Sequence, residues 1–249
     1  MVASIRDLTK QSDFVFEGAI QRIGDVTSRG VQATPSTAVV HVEKVLKGPR
    51  VLAGFTGREI TVLSDERSDP SSRKRAVFFT NAFHYGEGLA VREVGRVDAT
   101  GANVEREVHE AMKESDDENL LRQLRSARLV VRGTVIKAGP SEHRERVGSE
   151  HDPEWWECVI EVEAIEKGSA KHEKNKNGKL RITAFFAHST DVAWYRSPKV
   201  QVGDAGIFIL HEGVVRSHQT PGPAMVHPLD FQPVSESERV RTLIKRIEQ

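Results

Sequence analysis

The stretch AVVHVEKVLKG, Ala38–Gly48, is written almost twice: Cys158–Gly168 reads CVIEVEAIEKG. Placing Gly48 on Gly168 sets Val40 on Ile160, Val42 on Val162, Glu43 on Glu163, Val45 on Ile165 and Lys47 on Lys167. Alternation of apolar and polar residues predicts a half-buried strand in both copies. In each copy the alternation breaks at the same place, before Val45 and before Ile165. A bulge there would bend the strand.

The match extends outward in both directions. Upstream, FVFEGAI (14–20) corresponds to LVVRGTV (129–135), with Phe14, Phe16 and Ile20 matching Leu129, Val131 and Val135, and Gly18 matching Gly133. Downstream, REITVL (58–63) corresponds to KLRITAF (179–185), RAVFFTN (75–81) to AGIFILH (205–211), and a last strand near Leu89–Val97 to one near Met225–Phe231. Each copy opens on a short helical pattern, Ile5 and Leu8 in the first and Leu121 and Leu124 in the second. Each closes on a longer one: Val104, Val108, Ala111 and Met112, then Val240, Leu243, Ile244 and Ile247. Ser235 followed by Glu238 predicts a capping box for the final helix. Any two β domains share alternating valines, but a conserved order of elements with a mid-strand glycine and a Lys-Gly turn argues for internal duplication. The boundary is expected in the polar run ESDDEN, giving domains 1–114 and 115–249, with ESDDEN capping the next helix.

Five strands per copy and few helices predict a mainly β protein, either barrel or sandwich. A glycine inside a strand costs stability unless the strand must bend or bulge there. In a flat sandwich Gly18 and Gly133 would serve packing alone. In a partly open five-stranded barrel they would let the first strand coil and pair on both sides. The fold class read from the sequence is therefore two tandem OB-like five-stranded antiparallel barrels with flanking helices.

Three features carry a resemblance. These are the glycine in strand one (VFEGAI, VVRGTV), the second strand ending in Lys-Gly (VEKVLKG, VEAIEKG), and the later apolar strand (AVFFT, GIFIL). On these each copy resembles an OB-fold-type barrel of the netrin/TIMP-like group found in bacterial proteins. The chain departs from that group in lacking the N-terminal cysteine through which TIMP-type inhibitors coordinate a protease's metal, and in lacking a disulfide framework, so metalloprotease inhibition is not carried over.

Composition narrows the function classes. Lys+Arg and Asp+Glu number 36 each among 249 residues, so no long-range field draws the chain to nucleic acid or anionic lipid. No apolar run reaches the length of a membrane span. MVASIRDLTKQ has no signal-peptide core. With one cysteine, Cys158, no intrachain disulfide can form. These features predict a soluble, cytoplasmic protein, or an exported one if a signal has been removed.

Catalytic motifs are missing: no HExxH (the nearest string, His109-Glu110, runs on into Ala-Met-Lys), no Walker A loop and no GxSxG elbow. Neither cofactor nor metal site is expected. Seven of the ten histidines lie in the second copy, at 143, 151, 172, 188, 211, 218 and 227, without ligand spacing. The basic strings SSRKR (71–75) and KHEKNKNGK (171–179) could serve single-stranded nucleic acid if aromatics such as Tyr85 lay beside them. The second string reads first as a hairpin turn.

The longer loops and all three tryptophans are in the second copy. Trp155, Trp156, Trp194, Tyr195 and Arg196 are accordingly the candidate binding residues, of the types that dominate contact surfaces. The expected function is a non-catalytic protein-interaction or adaptor module with a protein partner. The alternatives are a single-stranded nucleic-acid binder and a metal-binding or enzymatic protein using the histidine-rich second copy.

Overall fold

The computed structural model describes residues 3–64, 75–86, 88–99, 103–141, 153–169, 173–174, 178–189, 191, 194–215, 218–220 and 222–249, with backbone only at 173–174, 214–215 and 218–219. The chain is mainly β and divides into two compact units, Met1–Asp116 and Asp117–Gln249.

In the first unit, helix α1 (Ile5–Gln11) precedes strands β1 (Phe14–Ile23), β2 (Thr37–Lys47), β3 (Glu59–Leu63), β4 (Arg75–Tyr85) and β5 (Leu89–Asp98). They close into a barrel in the order β1-β2-β3-β5-β4 and back to β1. All neighbours are antiparallel except β3 and β5, which run parallel. The parallel pair arises because β4 first crosses to the far side of β1, and β5, returning antiparallel to β4, meets β3 in the same direction.

Helix α2 (Val104–Ser126) leads into β6 (Leu129–Pro140), β7 (Trp155–Lys167), β8 (Glu173–Lys174), β9 (Leu180–Ala187), β10 (Ala205–Leu210), a small pair β11 (Val214–Val215) and β12 (His218–Gln219), then β13 (Ala224–Met225), β14 (Phe231–Pro233) and helix α3 (Ser237–Glu248). The main sheet of the second unit runs β13-β9-β7-β6-β10-β14, with β8 added at β9. A bridge between His211 and Ala224 joins the end of β10 to β13. The two short strands thus share the work of β5: β13 pairs parallel with β9, and β14 antiparallel with β10.

The duplication is visible in the register itself. Phe16, Gly18 and Ile20 face Val45, Val42 and Val40, while Val131, Gly133 and Val135 face Ile165, Val162 and Ile160. Both ladders slip at the same three places, and Glu43 and Glu163 are the extra residues at one of them. At that slip the strands come so close that a Cβ on Gly18 would lie 2.5 Å from the His41 carbonyl oxygen, and one on Gly133 2.3 Å from that of Glu161. Glycine is required there by approach distance, whereas the sequence predicts a bend or bulge at these positions.

The repeated lysine also has a structural task. Lys47 Nζ donates to the carbonyls of Thr9 (2.7 Å) and Ser12 (2.6 Å) at the end of α1. Lys167 Nζ donates to Leu124 (2.5 Å), Arg125 (3.1 Å) and Ala127 (2.7 Å) at the end of α2. Both ammoniums satisfy orphan carbonyls at the negative end of the helix that feeds strand one. Lys167→Met should cost about 1–2 kcal/mol, since several carbonyls lose a charged donor. Denaturant unfolding of the variant, read beside Lys179→Met as an exposed control, checks this.

Each unit has two apolar layers. In the first, Phe14, Phe16, Val40, Ile60, Phe78 and Val91 fill the barrel. Leu8, Val104 and Val108 cover its outer side at Val15, Val77 and Phe79. In the second, Val131, Ile160, Phe186 and Phe208 lie inside, while Leu120, Leu124, Val240, Leu243 and Ile244 cover Val130, Ile207 and Ile209. Burial of β4 and β10 on both faces explains why AVFFT and GIFIL do not alternate.

Two expectations are corrected. ESDDEN does not cap a new helix: it lies inside α2, which is continuous across it. The run contains neither Gly nor Pro, so nothing interrupts the hydrogen-bond ladder. Ser235 does not form a capping box with Glu238. A short turn over Val234–Glu236 precedes α3, and Ser237 Oγ instead donates to the Val234 carbonyl at 2.5 Å.

Candidate functional site

The five candidate residues separate into interior and surface. Trp194 is fully buried and Trp155 nearly so; their rings lie 6.2 Å apart in a cluster with Phe185, Ala187, Ala224 and Val226. Both belong to the interior and present no contact surface, which corrects the reading from sequence. A turn holds Trp194 there: its N–H and that of Tyr195 donate to the Asp191 carbonyl, and Lys199 Nζ donates to the Trp194 carbonyl at 2.9 Å. Tyr195 and Arg196 stay exposed on that turn. Trp156 is half-buried and stacks on exposed His188, with centroids 3.9 Å apart and planes 12° from parallel.

Three of the second-copy histidines, His143, His151 and His172, lie outside the described residues, as do residues 71–74 and most of KHEKNKNGK. Among the described residues no group of three His, Cys, Asp or Glu side chains is placed to hold a metal. Cys158 is buried inside the second barrel, and burial pushes its thiol up to about 12, so it is a packing group rather than a thiolate nucleophile.

His211 enters a Ser-His-Asp chain. Its Nε2 lies 3.0 Å from Asp230 Oδ1, and its Nδ1 3.4 Å from Ser126 Oγ. The connectivity matches a catalytic relay, but the duplication explains it otherwise. Asn81 occupies the position of His211 in the first unit, and it too ties the helix end to strand one, accepting from Asp13 N–H and donating to the Gln11 carbonyl. Ser126 Oγ is also within hydrogen-bond reach of the Arg122 and Gln123 carbonyls, so its proton is shared with the helix. Asp230 Oδ2 accepts from the N–H groups of Val226 (2.8 Å) and His227 (2.7 Å). The buried carboxylate thereby holds the break between β13 and β14, where the fifth strand leaves the ladder.

The most exposed aromatic ensemble lies in the first unit. Strand β4 pairs with β1 only as far as Thr80, then runs on to Tyr85 as a ribbon with β5. The ladder slips between Ala82 and His84, leaving Phe83 as the unpaired bulge residue. Bulges re-aim side chains, and Phe83 is 46% exposed. Arg92 of the same ribbon sits 5.8 Å from its ring centroid. Tyr85, 64% exposed, meets Phe55 edge-on at 6.2 Å, and Arg58 lies 5.6 Å from the Phe55 ring.

The ribbon is braced from behind. The loop between β1 and β2 packs on it: a Cβ on Gly30 would fall 2.7 Å from His84 Cε1, and one on Gly88 3.3 Å from the Thr27 carbonyl oxygen. That loop is anchored in turn by Thr27 N–H donating to Thr61 Oγ1 at 2.8 Å. The β1–β2 loop thus supports the backbone of the ribbon at His84 and Gly88.

The neighbouring barrel wall carries paired charge. Arg22 bonds Glu59 at 2.8 Å and Asp25 at 2.7 Å, and these bonds hold both carboxyls below their usual range. Arg75 pairs with Glu17 and Glu43. In these two described groups the carboxylates outnumber the arginines.

A scan against protein-family models and a search of curated proteins found no match to this sequence. Sequence reasoning missed the ribbon because Phe83 looks like an alternating strand residue; only the slip in pairing turns it outward. Tyr85 beside Gly86 was the one legible signal.

Proposed function

We propose that the protein is a non-catalytic interaction module that binds a protein partner through the β4–β5 ribbon of its first unit. One observation carries this reading: the end of the ribbon exposes two aromatic–arginine contacts, Phe83 with Arg92 and Tyr85 with Phe55 and Arg58. Aromatic and arginine side chains dominate protein-binding hot spots. Arg58 and Arg92 lie within cation–π distance of the Phe55 and Phe83 rings.

A photocrosslinking residue in place of Tyr85, used in native lysate, identifies the partner. Tyr85→Ala should then weaken binding about 30-fold, the equivalent of about 2 kcal/mol, while leaving the melting temperature unchanged. Unchanged affinity for Tyr85→Ala and Phe83→Ala together overturns the proposal. The same aromatics could stack bases, so salt dependence is the discriminating measurement. A nucleic-acid ligand would lose affinity by orders of magnitude between 50 and 200 mM salt, on the order of 10³-fold or more for several phosphate contacts. The proposed protein contact loses little.

A further inference from the structure

The two copies separate what the barrel needs from what one unit adds. Lys47 and Lys167 are shared, and both serve a helix end. Arg58 and Arg92 are not shared. Val40 pairs with Ile60 as Ile160 pairs with Ile182, so Arg58 falls on Leu180. Leu63 then falls on Phe185, and its partner Arg92 on Ala224. The ribbon is also unmatched: β4 runs on to Tyr85, whereas β10 stops at Leu210, the counterpart of Thr80. The barrel closes without these residues, so folding alone does not account for them.

The two aromatic–arginine contacts lie on opposite faces of the ribbon. Tyr85 pairs with the core residue Leu89 and faces the core side, where it meets Phe55 of the short helical turn Arg50–Phe55 between β2 and β3. Arg92 follows the core residue Val91 and faces the outer side, where it meets Phe83. Along β5 the way between the faces is closed by β3, which pairs with Ala90–Arg92. Along β4 it is open: β1 pairs only as far as Thr80, and among the described residues no backbone group bonds Ala82–Tyr85 on that side. Among the described residues neither arginine is in an ion pair; Glu59, next to Arg58 in sequence, is taken by Arg22.

Taking the ribbon as the binding surface, we infer that the protein partner contributes an extended acidic segment that runs along this edge of β4. Successive side chains of an extended segment point to opposite faces, so neighbouring positions reach Arg92 on one side and Arg58 on the other. A helix laid on either face reaches one of them. Backbone groups along the open edge offer main-chain hydrogen bonds to such a segment. The bulge at Phe83 interrupts the edge, which disfavours indiscriminate strand pairing and leaves the choice of partner to side chains. Carboxylates complement the two guanidinium groups in charge and in geometry. Exposed ion pairs strengthen binding only a few-fold each, so the contact keeps a modest salt dependence.

The test screens a random dodecapeptide display library against the full chain. Enriched peptides should carry net negative charge, and should be lost when the bait is Phe83→Ala/Tyr85→Ala. One enriched peptide, made synthetically, is then titrated by fluorescence anisotropy. Arg58→Glu/Arg92→Glu, at exposed positions, should weaken it at least about tenfold without moving the melting temperature, and exchanging the peptide's acidic residues for lysine should restore binding to that variant. Methylating alternate backbone nitrogens of the peptide should also weaken it at least about tenfold, as the loss of edge pairing requires. The inference is overturned by an unenriched library, by neutral or basic enriched peptides, by equal affinity of the charge-reversed variant and the wild type, or by equal affinity for the methylated peptide. Each of these results leaves the ribbon itself to the Tyr85 crosslinking test. Enriched peptides that bind Phe83→Ala/Tyr85→Ala as tightly as the wild type overturn both readings.

Discussion

Trp194→Ala should lower the stability of the second unit by about 3–5 kcal/mol, the cost of emptying a large buried aromatic site. Trp194 is the largest fully buried side chain in the protein, with Trp155 and Phe185 as neighbours in a satellite core outside the main barrel cavity. Those rings cannot collapse freely into the space, because Trp155 and Phe185 are fixed on adjacent strands by their pairing with β9 and β13. The melting temperature of the second unit should fall on the order of 10–20 °C. Tyr195→Ala, one residue along the same turn and 56% exposed, should leave it nearly unchanged. Thermal unfolding followed by tryptophan fluorescence separates the two variants. An unaltered melting curve for Trp194→Ala would return that ring to the list of surface residues.

Gly133→Ala is the second large effect. The added methyl would sit 2.3 Å from the Glu161 carbonyl oxygen and 2.9 Å from Ile160 Cγ2. The nearer obstacle is backbone paired across the β6–β7 ladder, and it cannot retreat without opening the ladder at its central slip. A cost of about 3 kcal/mol is expected, at the upper end of ordinary overpacking. Gly18→Ala in the first unit, with 2.5 Å to the His41 carbonyl oxygen, should behave alike. Gly139→Ala is the control, since it lies in the same strand as Gly133 and has nothing within 4 Å of an added Cβ. Equilibrium denaturation of the three variants gives the comparison. Equal stability of Gly133→Ala and Gly139→Ala would mean that the glycine is not required by close approach.

The sequence by itself determined the mainly β class, the tandem arrangement and the order of elements. These rest on local rules. Alternation with period two marks β2 and β7, the shared break before Val45 and Ile165 marks a slip, and Gly18 and Gly133 mark an irregularity in the first strand; that two backbones meet there came from the structure. The repeated Lys-Gly was legible as a repeat, although its purpose was not. Lys47 and Lys167 reach helix carbonyls 35 to 43 residues away in sequence.

What lies inside and what faces a partner was decided by tertiary structure alone. Trp194 and Tyr195 are adjacent on one turn, yet one is wholly buried and the other exposed. The difference comes from Trp155 and Val226, neither of which is near them in sequence. Phe83 faces solvent because β4 slips against β5, a property of two strands and not of either alone. His211 and Asp230 meet because the fifth strand of the second barrel breaks into β13 and β14, lengthening the stretch from Arg92–Arg96 in the first unit to Ala224–Phe231 in the second. Local sequence governs the direction of a side chain relative to its own backbone. Burial depends on which other backbone passes in front of it, and that is settled only when the chain closes on itself.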